Sequence, residues 1–455
     1  MFTIEELTSA SGGRVAAQGK CRNVSSVSTD SRTILPEEAF CAIRGENFDG
    51  HDFVPQAVRR GCRCVIVHRG SHVSAGSGVT VIEVADTVRS YGAIARFHRM
   101  RFNIPVVGIT GSNGKTTTKD MLAWILSEHS PVLKNEGTKN NHIGVPATLL
   151  RMNRSHTCAV IELGTNHPGE LEYLSWICEP AMALITNIGP SHLEYFGDLA
   201  GVCREKTSLL RRRAGLRIAL LNADDPLLKS RLARPSQKPA CFGYGIRAAC
   251  DFKARAVSPD GDGFRFIMHR KSLIRLKTPG ECNVYNALAA IAGSRVLGAS
   301  YASIARRLKT FVFPQGRLTL RTVQDIRFID DSYNANPRSM EQAMDALRRS
   351  QTPCGRRVLI MGDMLELGPG AERFHQDAGR LAAGSCDVFI TVGRHSALAA
   401  AAALSQGFDR TSVFSCETAA QARDILYNTV TVTKNDIVLL KGSRGMKLEQ
   451  VIEPG

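Results

Sequence analysis

The stretch Thr110-Gly111-Ser112-Asn113-Gly114-Lys115-Thr116-Thr117-Thr118 follows an apolar run at residues 104–109 and precedes a helix-like segment at residues 119–126. This order of strand, glycine-rich loop and helix is typical of phosphate-binding loops, where glycines let backbone N–H groups turn toward phosphate oxygens at a helix N-terminus. In such a loop Lys115 reaches the terminal phosphates, and the Thr116 hydroxyl holds a magnesium ion. We therefore predict that residues 110–117 bind a nucleoside triphosphate.

One position departs from the general phosphate-loop pattern, which places a glycine five residues before Gly114. Ile109 occupies that position, and Gly108 lies one residue too early. The alternative interpretation is a glycine turn that binds no ligand. A Gly-Lys-Thr sequence between a strand and a helix disfavours that alternative.

Length and charge limit the classes of protein to consider. A chain of 455 residues is too long for one ordinary core and predicts about three domains. The 58 Lys and Arg residues outnumber the 42 Asp and Glu residues, and the resulting net charge of +16 attracts nucleic acids, acidic lipids or phosphorylated metabolites. The densest basic run, Arg211-Arg212-Arg213, lacks interleaved aromatic residues, so we interpret it as a solvated helix end and expect no nucleic-acid partner.

Cysteine spacing and hydropathy indicate the compartment. None of the 13 cysteines forms a C-x-x-C pair, which favours reduced thiols over disulfides or a zinc site. Glu5 and Glu6 stand where a signal peptide carries basic residues, and the sequence has no run of 18 apolar residues. We expect a cytoplasmic protein without membrane insertion.

Apolar runs divide the sequence into three predicted α/β domains. Residues 1–102 combine short β-like runs with a helical pattern at 86–100, which predicts a small α/β domain. In residues 103–313 the apolar runs end in polar residues, which favours a parallel sheet with ligands at the C-terminal ends of its strands. The predicted strands are residues 24–27, 39–43, 64–67 and 79–84 in the first domain, and 106–110, 159–164, 183–187 and 218–225 in the second.

A similar pattern of apolar runs begins again after residue 313. Apolar runs at 357–361, 388–392 and 437–440 each lead into a glycine-containing loop. Residues 314–455 are therefore predicted to form a third, Rossmann-like domain.

Three polar residues follow or neighbour the central strands. Glu162 ends an apolar run, so its carboxylate should lie at the C-terminal edge of the sheet, where an acid can hold magnesium. His192 lies in the loop after the strand at 183–187, and by itself is better interpreted as an ordinary loop or core histidine. Lys206 by itself is better interpreted as a solvated helix charge.

Several motifs, taken in order, resemble the Mur ligases of peptidoglycan synthesis. They are the phosphate loop, Asn140-Asn141-His142-Ile143-Gly144-Val145-Pro146, Glu162-Leu163-Gly164, Asn187-Ile188-Gly189-Pro190-Ser191-His192-Leu193-Glu194, and the lysine 14 residues after that histidine. The resemblance spans the whole sequence. It implies an ATP-dependent, amide-bond-forming ligase.

Motifs near the C-terminus narrow this resemblance to one step of peptidoglycan synthesis. Residues 330–337, 362–368 and 441–445 resemble those of family members that join D-alanyl-D-alanine to UDP-N-acetylmuramoyl-tripeptide. Members that add the third peptide residue carry an Asp-Asn-Pro-Arg box well into the C-terminal domain. Here the Asn-Pro-Arg at 336–338 belongs to the Asp-Ser-Tyr-Asn motif. The implied partners are therefore the UDP-tripeptide and D-alanyl-D-alanine.

The resemblance also implies metal ligands. Thr116 is similar to the ligand of a first magnesium ion, and Glu162 and His192 are similar to ligands of a second. Lys206 is similar to the family lysine that carbon dioxide converts to a carbamate, an anion able to hold the second metal. A solvated lysine remains the alternative.

The remaining implied site residues fall into two groups. Asn286, Arg317, Asp331 and Asn334 are similar to residues that contact ATP, although Asn286 could equally bond within its own helix. The Asp30-Ser31-Arg32 and Glu46-Asn47-Phe48 segments are similar to UDP-binding loops, with ordinary polar turns as the alternative. The full set implied for substrate binding is Ser31, Arg32, Glu46, Asn47, Phe48, Thr138, Asn140, Asn141, Tyr333, Asp363 and Glu366.

The chemistry accounts for three domains. A carboxylate must acquire a leaving group before an amine can displace it, and γ-phosphoryl transfer from ATP supplies one as an acyl phosphate. Water would destroy that species, so we expect the outer domains to close over the central one in a monomeric enzyme. Alternatives are another Mur ligase step, a folylpolyglutamate synthetase-like ligase, or a phosphate-loop ATPase stimulated by nucleic acid.

Overall fold

The computed structural model describes residues 1–45, 48–211, 215–232, 239–269, 272–350, 352 and 354–452. Three large β-sheets follow one another along the chain, each flanked by helices. This arrangement confirms the predicted three-part α/β architecture. None of the helices within the described ranges is long and apolar enough to cross a membrane.

The first sheet has five strands in the order β2-β7-β6-β5-β4, antiparallel at β2 and otherwise parallel. Its helix α3 matches the predicted helical segment and begins after Asp86, whose carboxylate accepts the Arg89 N–H at 2.9 Å. The elements are β1 Phe2–Thr3, α1 Ile4–Ser11, β2 Arg14–Ala17, β3 Asn23–Val24, β4 Val27–Ser28, β5 Ala39–Cys41, α2 Val54–Arg59, β6 Cys64–His68, β7 Thr80–Val84 and α3 Thr87–Met100.

The predicted strand at 24–27 is wrong, because the chain splits there into two short strands. Val24 pairs with Phe2 in a separate two-stranded sheet, whereas Val27 pairs with Ala39 in the main sheet. Between them, Ser25 donates both its backbone N–H and its hydroxyl to the Glu37 carbonyl. These local bonds replace the ladder that a continuous strand would need.

The second sheet has seven parallel strands in the order β14-β13-β12-β11-β8-β10-β9. Strands β8, β10 and β11 are buried along their whole length, as predicted for a sheet covered on both faces. The elements are β8 Val106–Thr110, α4 Lys115–Leu126, β9 Val132–Lys134, α5 Gly144–Leu149, β10 Cys158–Glu162, α6 Glu170–Cys178, β11 Met182–Ile185, α7 Leu193–Phe196, α8 Leu199–Thr207, β12 Ile218–Asn222, α9 Pro226–Leu232, β13 Ala240–Gly245 and β14 Phe252–Lys253.

A small antiparallel sheet and two helices follow before the third domain. They are β15 Arg255–Asp260, β16 Gly263–Met268, β17 Ser272–Leu276, α10 Cys282–Val296 and α11 Tyr301–Lys309. This sheet was not predicted from the sequence. In the described ranges α10 packs directly against α4, so it lies behind the phosphate loop.

The third sheet has six strands in the order β18-β19-β23-β20-β21-β22, antiparallel at β18 and otherwise parallel. The last strand, β23, lies in the middle, between β19 and β20. The elements are β18 Thr319–Val323, β19 Ile326–Asp331, α12 Pro337–Arg349, β20 Arg357–Gly362, α13 Ala371–Ala382, β21 Val388–Val392, α14 Ser396–Ser405, β22 Val413–Cys416, α15 Ala419–Asp424 and β23 Ile437–Lys441.

The first and second domains share one apolar core. Helix α3 packs on α5 and α6, and buried residues of both domains form a continuous cluster that includes Ile94 and Ile177. The helices approach closely at Gly92, where an added Cβ would lie 2.9 Å from Ile177 Cδ1. This packing holds the two domains together by burial of apolar surface.

Ile177→Ala should therefore lower the free energy of unfolding by about 2–5 kcal/mol, because it leaves a cavity where α3 meets α6. Leu273→Ala is the control, since Leu273 is exposed on β17. Urea denaturation followed by far-UV circular dichroism measures both variants. Equal losses for the two would contradict a shared core.

Candidate active site

A cleft of about 740 Å³ lies between the second and third domains. It opens at the C-terminal edge of the central sheet, where parallel sheets place their ligands. On the central side it is lined by the phosphate loop, Thr138, Asn140, Glu162, Asn187, His192 and Asn286; on the other side it is lined by Arg317, Asp331, Tyr333, Asn334, Asn336, Arg338, Glu366, Lys441 and Arg444.

The phosphate loop can be built only with glycine at two positions. Gly111 has φ +143° and Gly114 has φ +80°, and an added Cβ at these positions would overlap Thr186 Oγ1 and Asn286 Oδ1 respectively. Ile109 lies within the buried strand β8, so the departure from the general pattern falls outside the turn itself.

Two residues at the start of α4 face the cleft. Lys115 Nζ donates to the carbonyls of Gly111 at 2.8 Å and Ser112 at 3.3 Å. Burial lowers the pKa of Lys115, and the nearby Glu162 carboxylate opposes that shift. The hydroxyl of Thr116 is buried without a hydrogen-bond partner.

Glu162 ends β10 and is 1% exposed. Its Oε1 accepts from Asn140 Nδ2 at 2.7 Å, while its buried Oε2 has no hydrogen-bond partner. Two hard oxygen atoms without a hydrogen bond, from Glu162 and Thr116, are suitable ligands for magnesium. The described residues hold no cluster of three or more His, Cys, Asp or Glu side chains that could bind a metal by themselves. Magnesium commonly completes such sparse sites with substrate phosphates and water.

Lys119 was not predicted as a site residue from the sequence. Its side chain is fully buried, and its Nζ donates to the Gly137 carbonyl at 2.7 Å and lies 3.7 Å from Glu162 Oε2. Its position one helical turn after Lys115 was the available signal, because residues four apart share a helix face.

His192 lies in the left-handed region with φ +50°. Its Nδ1 is 2.6 Å from Glu366 Oε2, although the ring N–H is not aligned along that contact. Burial lowers the pKa of His192 to about 4; Lys115 and Lys206 add to this shift and Glu366 opposes it. The imidazole is therefore neutral at physiological pH, the form that binds metals.

Lys206 is 1% exposed, which excludes the solvated helix charge. Burial, with a further contribution from Lys115, lowers the pKa of Lys206 well below its usual value. Lys206 Nζ lies 5.9 Å from the centre of the Phe196 ring. A lowered pKa increases the fraction of this amine that is uncharged, and hence nucleophilic, at a given pH.

Polar contacts connect the two walls of the cleft. Asn113 and Asn336 exchange hydrogen bonds through their side-chain amides, at 2.7 and 3.3 Å. The hydroxyls of Thr138 and Tyr333 lie 2.6 Å apart. Arg338 donates to the Ile188 carbonyl at 2.9 Å. These contacts join the second and third domains across the cleft.

The predicted third-domain residues gather on one wall. Asp331 forms an ion pair with Lys441 at 2.8 Å, and Lys441 also donates to the Asn334 carbonyl. Burial raises the pKa of Asp331, while Lys441 opposes the shift. The guanidinium of Arg317 lies 4.2 Å from the centre of the Tyr333 ring. Three further residues on this wall belong to the C-terminal motifs but were not predicted as site residues: Asn336, Arg338 and Lys441.

Two predicted substrate residues have local structural partners. Asn141 Oδ1 accepts the N–H groups of Ile143 and Gly144 at the start of α5. The Asp363 carboxylate accepts the backbone N–H and the hydroxyl of Ser396, both at 2.7 Å. Neither Asn141 nor Asp363 lines the cleft, so their contact with substrate remains a prediction.

The predicted UDP-binding residues lie in the first domain, away from the lining of the cleft. Ser31 donates to Gln56 at 2.8 Å, and Arg32 forms an ion pair with Asp30. Phe48 is 73% exposed. Glu46 and Asn47 lie outside the described residues, as do Arg212 and Arg213 of the basic run.

Asn286 lines the cleft beneath the phosphate loop. Its Oδ1 accepts from Thr118 Oγ1 at 3.4 Å and its Nδ2 donates to Asn283 at 2.8 Å. Asn286 therefore forms a hydrogen bond within its own helix, as the alternative interpretation expected. A contact with a bound base remains a prediction.

A phosphate loop that faces a Rossmann-like domain across a polar cleft defines a nucleotide-dependent enzyme of several domains. Family models match the chain in three segments: "Mur ligase family, catalytic domain" at residues 23–105, "Mur ligase middle domain" at 109–293 and "Mur ligase, glutamate ligase domain" at 316–444. The chain belongs to the Mur ligase family.

Individual relatives extend this finding. The UDP-N-acetylmuramoyl-tripeptide–D-alanyl-D-alanine ligase of Bacillus subtilis strain 168 is 34% identical, with 94% of this chain and 92% of that protein aligned. The crystal structure of MurF from Acinetobacter baumannii has a TM-score of 0.88 at 34% identity, covering 99% of this chain and 97% of that one. MurF ligase from Thermotoga maritima in complex with ADP has a TM-score of 0.81 at 25% identity, covering 94% and 96%.

Two glycines allow the phosphate loop to be tested against a matched control. Gly114 and Gly169 both have positive φ and both precede a helix, α4 or α6. An alanine at Gly169 meets no atom within 4 Å, whereas one at Gly114 overlaps Asn286. Both substitutions should cost about 1–2 kcal/mol in backbone strain.

Gly114→Ala should in addition lose nucleotide binding, because Asn286 must displace the loop. Isothermal titration calorimetry with ADP and magnesium measures this, and Gly169→Ala should retain the wild-type affinity. Equal nucleotide affinity in the two variants would refute the steric argument.

Proposed function

We propose that this chain is an ATP-dependent ligase that joins D-alanyl-D-alanine to UDP-N-acetylmuramoyl-tripeptide through an acyl phosphate, as a cytoplasmic monomer. One observation carries the proposal: the phosphate loop and the oxygens of Glu162 and Thr116 that lack a hydrogen bond face Arg317 and Tyr333 across a single cleft. The aligned relatives are named as UDP-N-acetylmuramoyl-tripeptide–D-alanyl-D-alanine ligases, which supports the same substrates.

We assign one task to each domain. Residues 103–313 bind ATP, residues 1–102 bind the UDP end of the precursor, and residues 314–455 deliver the amine. The exposed ring of Phe48, 6.4 Å from the ring of Phe53, supports the second assignment because exposed aromatic faces can stack on a base. The Asp30-Ser31-Arg32 turn offers a cation to the diphosphate.

The chemistry has two steps. The tripeptide carboxylate attacks the γ-phosphorus of ATP and ADP leaves; then the dipeptide amine attacks the acyl phosphate, and phosphate leaves with loss of a proton. Lys115 offsets the negative charge that gathers between two anions during the first step. The contacts of Asn113 with Asn336 and of Thr138 with Tyr333 narrow the cleft against water, which would hydrolyse the acyl phosphate.

Magnesium fits this site. Thr116 would hold one ion, and Glu162, His192 and a carbamate on Lys206 would hold a second. The ions supply charge neutralisation at the phosphoryl group. The neutral Lys206 amine attacks carbon dioxide, forms an N–C bond and releases a proton. The buried amine thereby becomes an anionic carbamate. Its burial and lowered pKa support this modification.

Lys206→Ala should be nearly inactive and partly recovered by short carboxylic acids, which can supply the missing oxygens in the vacated space. Lys115→Ala should lose at least about 100-fold in rate and show no such recovery, because a carboxylate cannot replace its ammonium. Lys229→Ala, at an exposed position on α9, is the control. Full activity of Lys206→Ala without additive would eliminate the carbamate.

The experiment that tests the proposed function is a substrate panel with product identification by mass spectrometry. With ATP and the UDP-tripeptide, phosphate release should depend on D-alanyl-D-alanine and respond poorly to L-alanyl-L-alanine, because inversion of both centres misplaces the methyl groups and the amine together. Faster turnover of D-glutamate, L-lysine or diaminopimelate on a shorter precursor would place the enzyme at another step. Stimulation of ATP turnover by nucleic acid would indicate a different class of enzyme, a phosphate-loop ATPase.

A further inference from the structure

The loop of residues 362–368 is held rigidly in the third domain. The Met364 N–H donates to His375 Nε2 and the Leu365 N–H donates to Ser443 Oγ, each at 2.9 Å. His375 is itself buried and bonds the Ala371 carbonyl through Nδ1. These bonds fix the backbone on the N-terminal side of Glu366.

Glu366 has an unusual backbone conformation for its type, with φ +61°. Such strain persists only where surrounding contacts impose it, and it concentrates at functional sites. Two residues later, Gly368 lies against the central domain, where an added Cβ would be 3.2 Å from Glu194 Cα. The loop therefore rests on the start of α7, the helix that follows His192.

The Glu366 side chain reaches across the domain boundary to His192. Its Oε2 lies 2.6 Å from His192 Nδ1, a buried nitrogen that has no other partner among the described residues. The other ionisable groups that act on this imidazole are two lysines, Lys115 on α4 and Lys206 on α8. Glu366 is thus the anion that faces His192 from the third domain.

We propose that Glu366 is a positioning residue for His192. A small rotation of the ring lets Nδ1–H donate to the Glu366 carboxylate, which fixes the tautomer and leaves Nε2 free for a metal. Histidines that bind metals commonly donate their second ring N–H to a carboxylate in this way. Because Glu366 belongs to the third domain, the metal site is complete only when that domain closes. This inference rests on the magnesium site of the proposed function.

The proposal differs from the substrate-binding role that the family resemblance implies for Glu366, in which Asp363 or Glu366 would bind the ammonium of the dipeptide. A residue that binds the ammonium controls the KM for D-alanyl-D-alanine. A residue that orients His192 controls the magnesium requirement and kcat instead. Glu366→Ala therefore separates the two roles, and its side chain is exposed enough for the variant to fold.

We expect Glu366→Ala to raise by about 10–100-fold the magnesium concentration needed for half-maximal binding of a non-hydrolysable ATP analogue, measured by calorimetry. In steady-state assays kcat should fall while the KM for D-alanyl-D-alanine is unchanged. Glu366→Gln should retain most of the wild-type magnesium affinity, because the amide oxygen still accepts the Nδ1–H. Glu372→Ala, at an exposed carboxylate on α13, should match the wild type.

A raised KM for the dipeptide with an unchanged magnesium requirement would overturn the proposal and favour the ammonium-binding role. Wild-type behaviour of Glu366→Ala in both measurements would also overturn it. Failure of the proposed function is distinguishable, because the wild-type enzyme would then form no ligation product from D-alanyl-D-alanine.

Discussion

The site depends on a steric constraint at the phosphate loop, which is compressed between two neighbours. Gly111 faces the Thr186 side chain at the end of β11, and Gly114 faces Asn286 on α10. Asn286 is in turn bonded to Asn283 and Thr118, so it cannot move aside freely. The loop geometry is therefore imposed by the second domain as a whole, and the positions of Lys115 and Thr116 follow from it.

The two domain boundaries are held by different forces. The first and second domains share a continuous apolar core, which includes Ile94 and Ile177. The second and third domains meet around the cleft through polar contacts such as those of Asn113 with Asn336 and Arg338 with Ile188. Hydrogen bonds exchange with water at little net free energy, whereas separation of an apolar core exposes surface. The third domain is therefore the one that can open to admit substrates and close against water.

The features that depend on a short stretch of the sequence could be predicted. Parallel strands such as β8 and β10 are buried on both faces, so each appears as an apolar run, and the polar residue that ends it lies at the edge of the sheet. Glu162 and the phosphate loop could be placed in this way. The antiparallel strands β15–β17 were missed because their partly exposed, alternating pattern is weak in a single sequence.

Features that depend on contacts between distant segments could not be predicted. Lys119 looks like a surface lysine until the fold places the Gly137 carbonyl next to its ammonium. The contact between His192 and Glu366 joins residues from two domains, and no local pattern specifies it. The family resemblance supplied candidate residues for the site, but it did not distinguish those that line the cleft from Asp363, which caps a helix.

Burial lowers the pKa of both Lys119 and Lys206, but the two lysines differ in the partners that oppose this shift. Lys119 is stabilised as a cation by the Gly137 carbonyl at 2.7 Å and by carboxylates of Glu162 and Asp120 at 3.7 and 3.8 Å. Lys206 has no hydrogen bond or ion pair among the described residues, and the cation of Lys115 disfavours a second charge nearby. Burial without such partners disfavours the ammonium form of Lys206 more strongly than that of Lys119. This difference supports the proposed reaction of the Lys206 amine with carbon dioxide, whereas the carbonyl and carboxylate contacts of Lys119 favour its ammonium form.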